Sequence, residues 1–225
     1  MIAVLALQAA LAGPSSLSLD LDGDGKPETV RYDAAAGKVH IGSHVVDCEG
    51  DPCDLEAHDV SEGTKGKEVE VCAHGPRDDQ ACTLYTLEKG ALRRYTWPRP
   101  YPPSQLRTAG NGIVLAVEPY HLRLFERIEK YTVNGFELVE VPQPIYTAVP
   151  PAKLPVDRTF PLLYAPGDKR VIANTKPGTD ILILGEHGEK PGWLLVRLSS
   201  GISGWVERDT LERVSTQYMQ IMGAG

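Results

Sequence analysis

Basic charge is scarce in this chain of 225 residues, where 23 Lys and Arg face 30 Asp and Glu for a formal net charge of −7. That balance argues against nucleic-acid binding, which depends on clustered cations facing phosphates. No basic amphipathic stretch suggests docking on an anionic membrane. Long apolar runs are also lacking: residues 1–12 are apolar but too short to span a bilayer, so no transmembrane anchor is expected. Signatures of catalysis are missing as well. The six histidines form no His-Glu-x-x-His arrangement. Ser203 lies between Gly201 and Gly204, but Trp205 stands where a nucleophile elbow requires glycine. No phosphate-cradling or dinucleotide-binding glycine loop is present. The chain is therefore expected not to be an enzyme.

Four cysteines are present. Cys48 and Cys53 bracket a turn-like Glu-Gly-Asp-Pro, while Cys72 and Cys82 flank a polar loop between two strand-like runs. Four cysteines permit three connectivities. The local pairs Cys48–Cys53 and Cys72–Cys82 are favoured, since each would close a hairpin. Zinc is the competing reading, and these spacings are not the Cys-x-x-Cys of zinc ribbons. Residues 1–12 end in Ala-x-Ala before Gly13-Pro14, as a secretory signal does, although no Lys or Arg stands near Met1. A buried amino-terminal strand or helix is the alternative. An exported, extracytoplasmic protein (periplasmic or secreted) is expected.

The most informative stretch is residues 20–28, Asp-Leu-Asp-Gly-Asp-Gly-Lys-Pro-Glu. It sets Asp20, Asp22, Asp24 and Glu28 at loop positions one, three, five and nine, the alternation that surrounds Ca²⁺ with oxygens. Lys26 at position seven would offer its backbone carbonyl. An EF-hand needs Glu at position twelve, where this chain has Arg31. Strand-like runs flank the loop, and a short acidic loop between two strands resembles the FG-GAP/VCBS-type repeat of extracellular β-propellers. That resemblance implies a Ca²⁺ site on Asp20, Asp22, Asp24, Lys26 and Glu28. A solvated Asp/Gly turn without an ion is the alternative. A second unit begins near residue 57 and contains a loop ending at Glu68, where Lys65 and Lys67 would oppose a cation. A third, looser unit contains the hairpin signal Asn134-Gly135. Three units cannot close a usual propeller, so a compact β-meander is expected.

Downstream, Gly178-Thr179, the apolar run 181–184, Gly192-Trp193, Val196-Arg197-Leu198 and Gly201-Ile202-Ser203-Gly204-Trp205-Val206 follow in order. Five short strands between Gly-rich turns argue for a small barrel. The pattern resembles the bacterial Src-homology-3 domain, with Leu163 to Asp168 departing from the family's usual first loop. Such domains bind peptides or peptidoglycan, or dock onto envelope proteins. The resemblance implies contact residues at Tyr164, Asp168, Trp193 and Trp205, and the alternative for the two tryptophans is the barrel core.

The expectation is thus an all-β chain: propeller-blade-like hairpins over residues 16–141, a Pro-rich linker over 142–156 and an SH3-like barrel over 157–212. Its expected role is a non-catalytic binding protein that recognises a peptide or wall component on a calcium-stabilised scaffold. The alternatives are a structural or assembly subunit of an envelope complex, or an accessory part of a cell-wall hydrolase.

Overall fold

A computed structural model describes residues 15–50, 52–60, 66–75, 80–99, 103–121 and 125–216. The expected signal peptide lies outside the described residues. The fold is all-β, with eighteen strands and one short helix among the described residues. These divide into two compact units, the first drawing on residues 1–102, 108–113 and 133–138, the second on 103–107, 114–132 and 139–225.

The first unit holds two four-stranded antiparallel meanders. One consists of β1 (Ser16–Leu19), β2 (Glu28–Asp33), β3 (Lys38–Ile41) and β4 (His44–Asp47). The other consists of β5 (Cys53–His58), β6 (Glu68–His74), β7 (Gln80–Glu88) and β8 (Ala91–Arg94). Alternation along each strand explains the core. Val30, Val39, Ile41, Leu55, Val69 and Val71 point inward around Leu21, and each such side chain contributes about 1.5–3 kcal/mol on burial. Both expected disulfides are present, Cys48–Cys53 and Cys72–Cys82. Cys72 and Cys82 face each other directly across the β6–β7 register.

In the remaining chain come β9 (Gln105–Thr108), β10 (Ile113–His121), β11 (Phe125–Asn134), β12 (Glu137–Glu140), β13 (Ile145–Val156), β14 (Pro161–Leu163), β15 (Val171–Asn174), β16 (Thr179–His187), β17 (Trp193–Leu198) and β18 (Ser203–Glu207). The strand order is β15-β14-β18-β17-β16-β13-β11-β10-β9, with β12 beside β11. The five strands expected for the barrel are β14 to β18.

The stretch expected as a linker differs. Residues 145–156 form the long strand β13, hydrogen-bonded to β16 and to β11. Proline withholds a backbone donor, and the ladder accommodates Pro150 and Pro151 by shifting register between Thr147 and Ala152. Residues 114–132 and 139–141, expected in the first domain, cluster with the second unit because β11 pairs with β13.

Inside this unit Leu154, Val156, Leu162, Ile181, Ile183, Leu194, Val196 and Val206 form one buried cluster. Helix α1 (Arg208–Val214) covers its end by burying Leu211 and Val214. Seven residues are too few for an isolated helix to persist, so tertiary contacts hold this one. Asp157 N–H donates to Val214 O at 2.7 Å, and Ser215 Oγ donates to Pro155 O at 2.8 Å.

Leu194 is fully buried between β16 and β18. Leu194→Ala is expected to lower stability by about 2–5 kcal/mol in urea denaturation. Val45→Ala, at a 50% exposed position, should stay within about 0.5 kcal/mol of the parent.

Candidate functional site

The acidic loop joins β1 to β2 and is organised by its own carboxylates. Asp20 accepts the N–H of Gly23 on Oδ1 at 2.8 Å and that of Gly25 on Oδ2 at 3.0 Å. Gly23 and Gly25 lie at φ 77° and 87°, the left-handed region that glycine enters without strain. Asp22 Oδ1 accepts the Asp24 N–H at 3.0 Å, and Glu28 Oε2 reaches back to the Leu21 N–H at 2.8 Å.

The result gathers oxygens of Asp20, Asp22 and Glu28 within 4.8 Å of one another. Carboxylate oxygens that accept one hydrogen bond retain further lone pairs. This all-oxygen donor set therefore fits Ca²⁺, whose ligands lie at about 2.3–2.6 Å. Asp24 stands apart from that trio. Its carboxylate accepts the Lys26 N–H at 2.7 Å and meets Lys26 Nζ at 3.4 Å. The backbone donor of Lys26, reinforced by its ammonium, holds the Asp24 carboxyl below its ordinary value.

The second loop repeats the closure with a different charge solution. Glu68 Oε2 accepts the Val60 N–H at 2.8 Å, as Glu28 does for Leu21, and both Leu21 and Val60 are buried. Asp59, the counterpart of Asp20, pairs instead with Lys67 Nζ. A lysine ammonium takes up the negative charge that the first loop leaves to its own carboxylates. Main-chain bonds string the loops together: Asp20 O accepts Lys67 N–H, and Asp59 O accepts Gly110 N–H, each at 2.8 Å. The approach is close enough that a Cβ on Gly66 would lie 2.7 Å from Leu21 O.

Beside the first loop opens a cleft of about 510 Å³, bordered by Asp22, Glu68, Thr86, Tyr95 and Phe136. Glu68 is only 2% exposed, and the Tyr95 hydroxyl donates to its Oε1 at 3.1 Å. Tyr95 is held edge-on by Phe136, ring centroids 5.7 Å apart. Burial pushes the Glu68 carboxyl above its usual value, against the opposing pull of the Val60 N–H and Tyr95. Glu68 is the site residue that sequence reasoning passed over. Its signal was the match of the second loop's closing Glu to Glu28. Tyr95 and Phe136 had no local signal.

In the second unit the residues expected to make contacts all lie outside the buried cluster. Tyr164 is 59% exposed, and the Arg170 guanidinium lies 4.0 Å above its ring. Asp168 fixes that guanidinium with bonds of 2.9 Å from Nε and 2.6 Å from a terminal nitrogen. The same Arg170 bond holds the Asp168 carboxyl down to about 2. Lys190 Nζ donates to Pro166 O at 2.8 Å, tying the β16–β17 loop to this one.

Trp205 pairs with Leu163 on one side and Leu195 on the other, while its ring rests 5.2 Å from that of His187. Trp193 stands further along the same face, opposite Glu207. Both tryptophans are half-buried and outside the core cluster.

A second cleft, about 270 Å³, lies on Arg127, Tyr146, Glu186 and Arg208. Here Arg127 is compensated by Glu118, by Glu129 at 2.6 Å and by Glu186 at 3.4 Å, and it stacks 4.7 Å from the Tyr146 ring. Burial, aided by the Glu140 carboxylate at 2.6 Å, pushes the Tyr146 hydroxyl up to about 12. One guanidinium thus serves three carboxylates from three strands.

Two outcomes follow for the first unit. Excess Ca²⁺ over EDTA should raise its unfolding temperature by about 5 °C or more. Asp22→Ala should abolish that rise and Asp24→Ala should keep most of it, as read by scanning calorimetry. For Glu68, a raised folded value means that its contribution to stability is complete below the ordinary carboxyl value and is lost as pH rises through the raised one. Relative to Glu68→Gln, the parent should therefore lose stability as pH rises above the ordinary carboxyl value. Parallel urea-denaturation profiles for the two proteins would contradict this.

Comparison with protein-family models, curated proteins and solved structures found no match to this chain.

Proposed function

We propose that this chain is an exported, non-catalytic binding protein whose carboxy-terminal SH3-like barrel recognises a peptide or cell-wall component. The amino-terminal β-domain serves as a scaffold stabilised by Ca²⁺ on the loop of Asp20, Asp22 and Glu28. The observation that carries this reading is Tyr164, displayed at 59% exposure with the Arg170 guanidinium over its ring. A rigid aromatic face with a fixed cation offers large contact area at small entropic cost, and Tyr and Arg recur as anchors of binding surfaces. Trp205 and Trp193, half-buried and outside the core cluster, add aromatic surface to the same unit. The two disulfides support an oxidising, extracytoplasmic setting. No helix among the described residues is long and apolar enough to cross a membrane.

A second reading, a structural or assembly subunit of an envelope complex, is favoured by the terminal strand β15. There Val171 and Ile172 are 50% and 40% exposed, and apolar exposure on such an edge invites a protein partner.

Sedimentation with purified peptidoglycan, and with the soluble peptides released from it, separates the two. Under the first reading the protein binds, and Tyr164→Ala weakens binding by about fivefold or more, equivalent to about 1 kcal/mol. Asp22→Ala in saturating peptidoglycan should leave binding intact. Absence of wall binding, with one stoichiometric protein recovered on an affinity column, would replace the first reading by the second.

A further inference from the structure

Three polar side chains of the second meander take no part in either acidic loop. On β5 and β6 the residues Glu56 and Glu70 stand directly opposite each other, with His58 opposite Glu68. Strand periodicity therefore puts Glu56, His58 and Glu70 on the same side of the sheet. His58 and Glu70 are almost fully enclosed, with side chains 4% and 1% exposed and Nε2 to Oε2 at 2.6 Å. Glu56 is exposed. One donor atom from each of the three lies within 4.8 Å of the others.

Like charges placed opposite one another across strands are destabilising, so the Glu56–Glu70 pair calls for a cation between its carboxylates. His58 Nε2 is the third group at that point. Behind it, His58 Nδ1 meets Thr108 Oγ1 at 3.2 Å. An outer partner of that kind holds a ligating imidazole in one tautomer, Nδ1–H outward and Nε2 bare towards the ion. The Cys72–Cys82 bridge pins β6 to β7 two residues beyond Glu70.

From this geometry we infer a second metal site, distinct in chemistry from the calcium loop: His58 Nε2 with one oxygen each from Glu56 and Glu70 binds a divalent transition ion of the Zn²⁺ class. One imidazole among carboxylates selects borderline metals over Ca²⁺, which takes oxygen ligands. Tetrahedral Zn²⁺ with ligands at about 2.0 Å spaces its donors about 3.3 Å apart. The His58–Glu70 pair thus opens by a fraction of an ångström as the ion replaces the proton they share. Three protein ligands leave one position for water on the exposed Glu56 side.

The test uses the full chain with Ca²⁺ saturating the acidic loop, titrated with ZnCl₂ in a calorimeter and with CoCl₂ in a spectrophotometer. One equivalent should bind, with visible Co²⁺ bands of a low-symmetry nitrogen–oxygen site. Asp22→Ala should bind equally well. Glu56→Gln, at a solvent-facing position where folding is not at stake, should weaken Zn²⁺ by about tenfold or more, and Thr108→Val by about tenfold. Dilution heats alone, or Glu56→Gln binding as tightly as the parent, would overturn the assignment and leave His58–Glu70 a buried hydrogen bond.

Discussion

Buried carboxylates impose the constraint on which much of this structure depends. Glu68, Glu70, Glu129 and Glu186 are each between 1% and 4% exposed. An isolated carboxylate removed from water costs several kcal/mol unless donors surround it. Three are met by groups brought from another strand or loop, and Glu129 by neighbours two residues away on its own strand β11. Glu68 receives the Val60 N–H and the Tyr95 hydroxyl, and Glu70 faces His58. Glu129 receives Arg127 and the Tyr131 hydroxyl. Glu186 receives Arg127 and the Gly192 N–H at 2.7 Å. Strand register in both units is thereby coupled to charge pairing, because a slip by one residue would turn each acid to the opposite face of its sheet.

The two acidic loops illustrate how one backbone device serves different ends. In both, a glutamate at the start of the following strand fastens a buried hydrophobic residue by its N–H. What differs is the source of positive charge. Lys67 supplies it covalently beside Asp59, whereas Asp20, Asp22 and Glu28 stand together with no lysine among them. Under the proposed function, the first meander is the part of the scaffold whose stability answers to the calcium level outside the cell, and the second is independent of it.

Strands β17 and β18 separate their inner and outer faces with equal clarity. Leu194, Val196 and Val206 fill the interior, and the alternate positions Trp193, Leu195 and Trp205 stay half-buried outside. Under the proposed function, the size and exposure of these outer aromatics serve recognition. Close to β14 in sequence, Tyr164, Arg170 and Asp168 form an exposed stack in which the guanidinium is fixed by the carboxylate.

Much of this was legible in the chain because it depends on short spacings. Alternate aspartates with intervening glycines specify a tight turn whatever surrounds it. Cysteines five and ten residues apart pair locally, and Gly192-Trp193 marked the start of β17. The Pro-rich stretch before the barrel misled, since only the neighbouring β11 and β16 make a strand of it. By itself, then, the sequence determined the all-β class, the acidic turn, the disulfide partners and the barrel strands, through backbone preferences acting over a few residues. Tertiary structure alone decided the Glu68–Tyr95 and His58–Glu70 contacts and the Arg127 node, whose partners lie 27, 12 and up to 59 residues apart. Those pairings exist only once strand register has brought distant side chains to one face, and no local preference encodes that register.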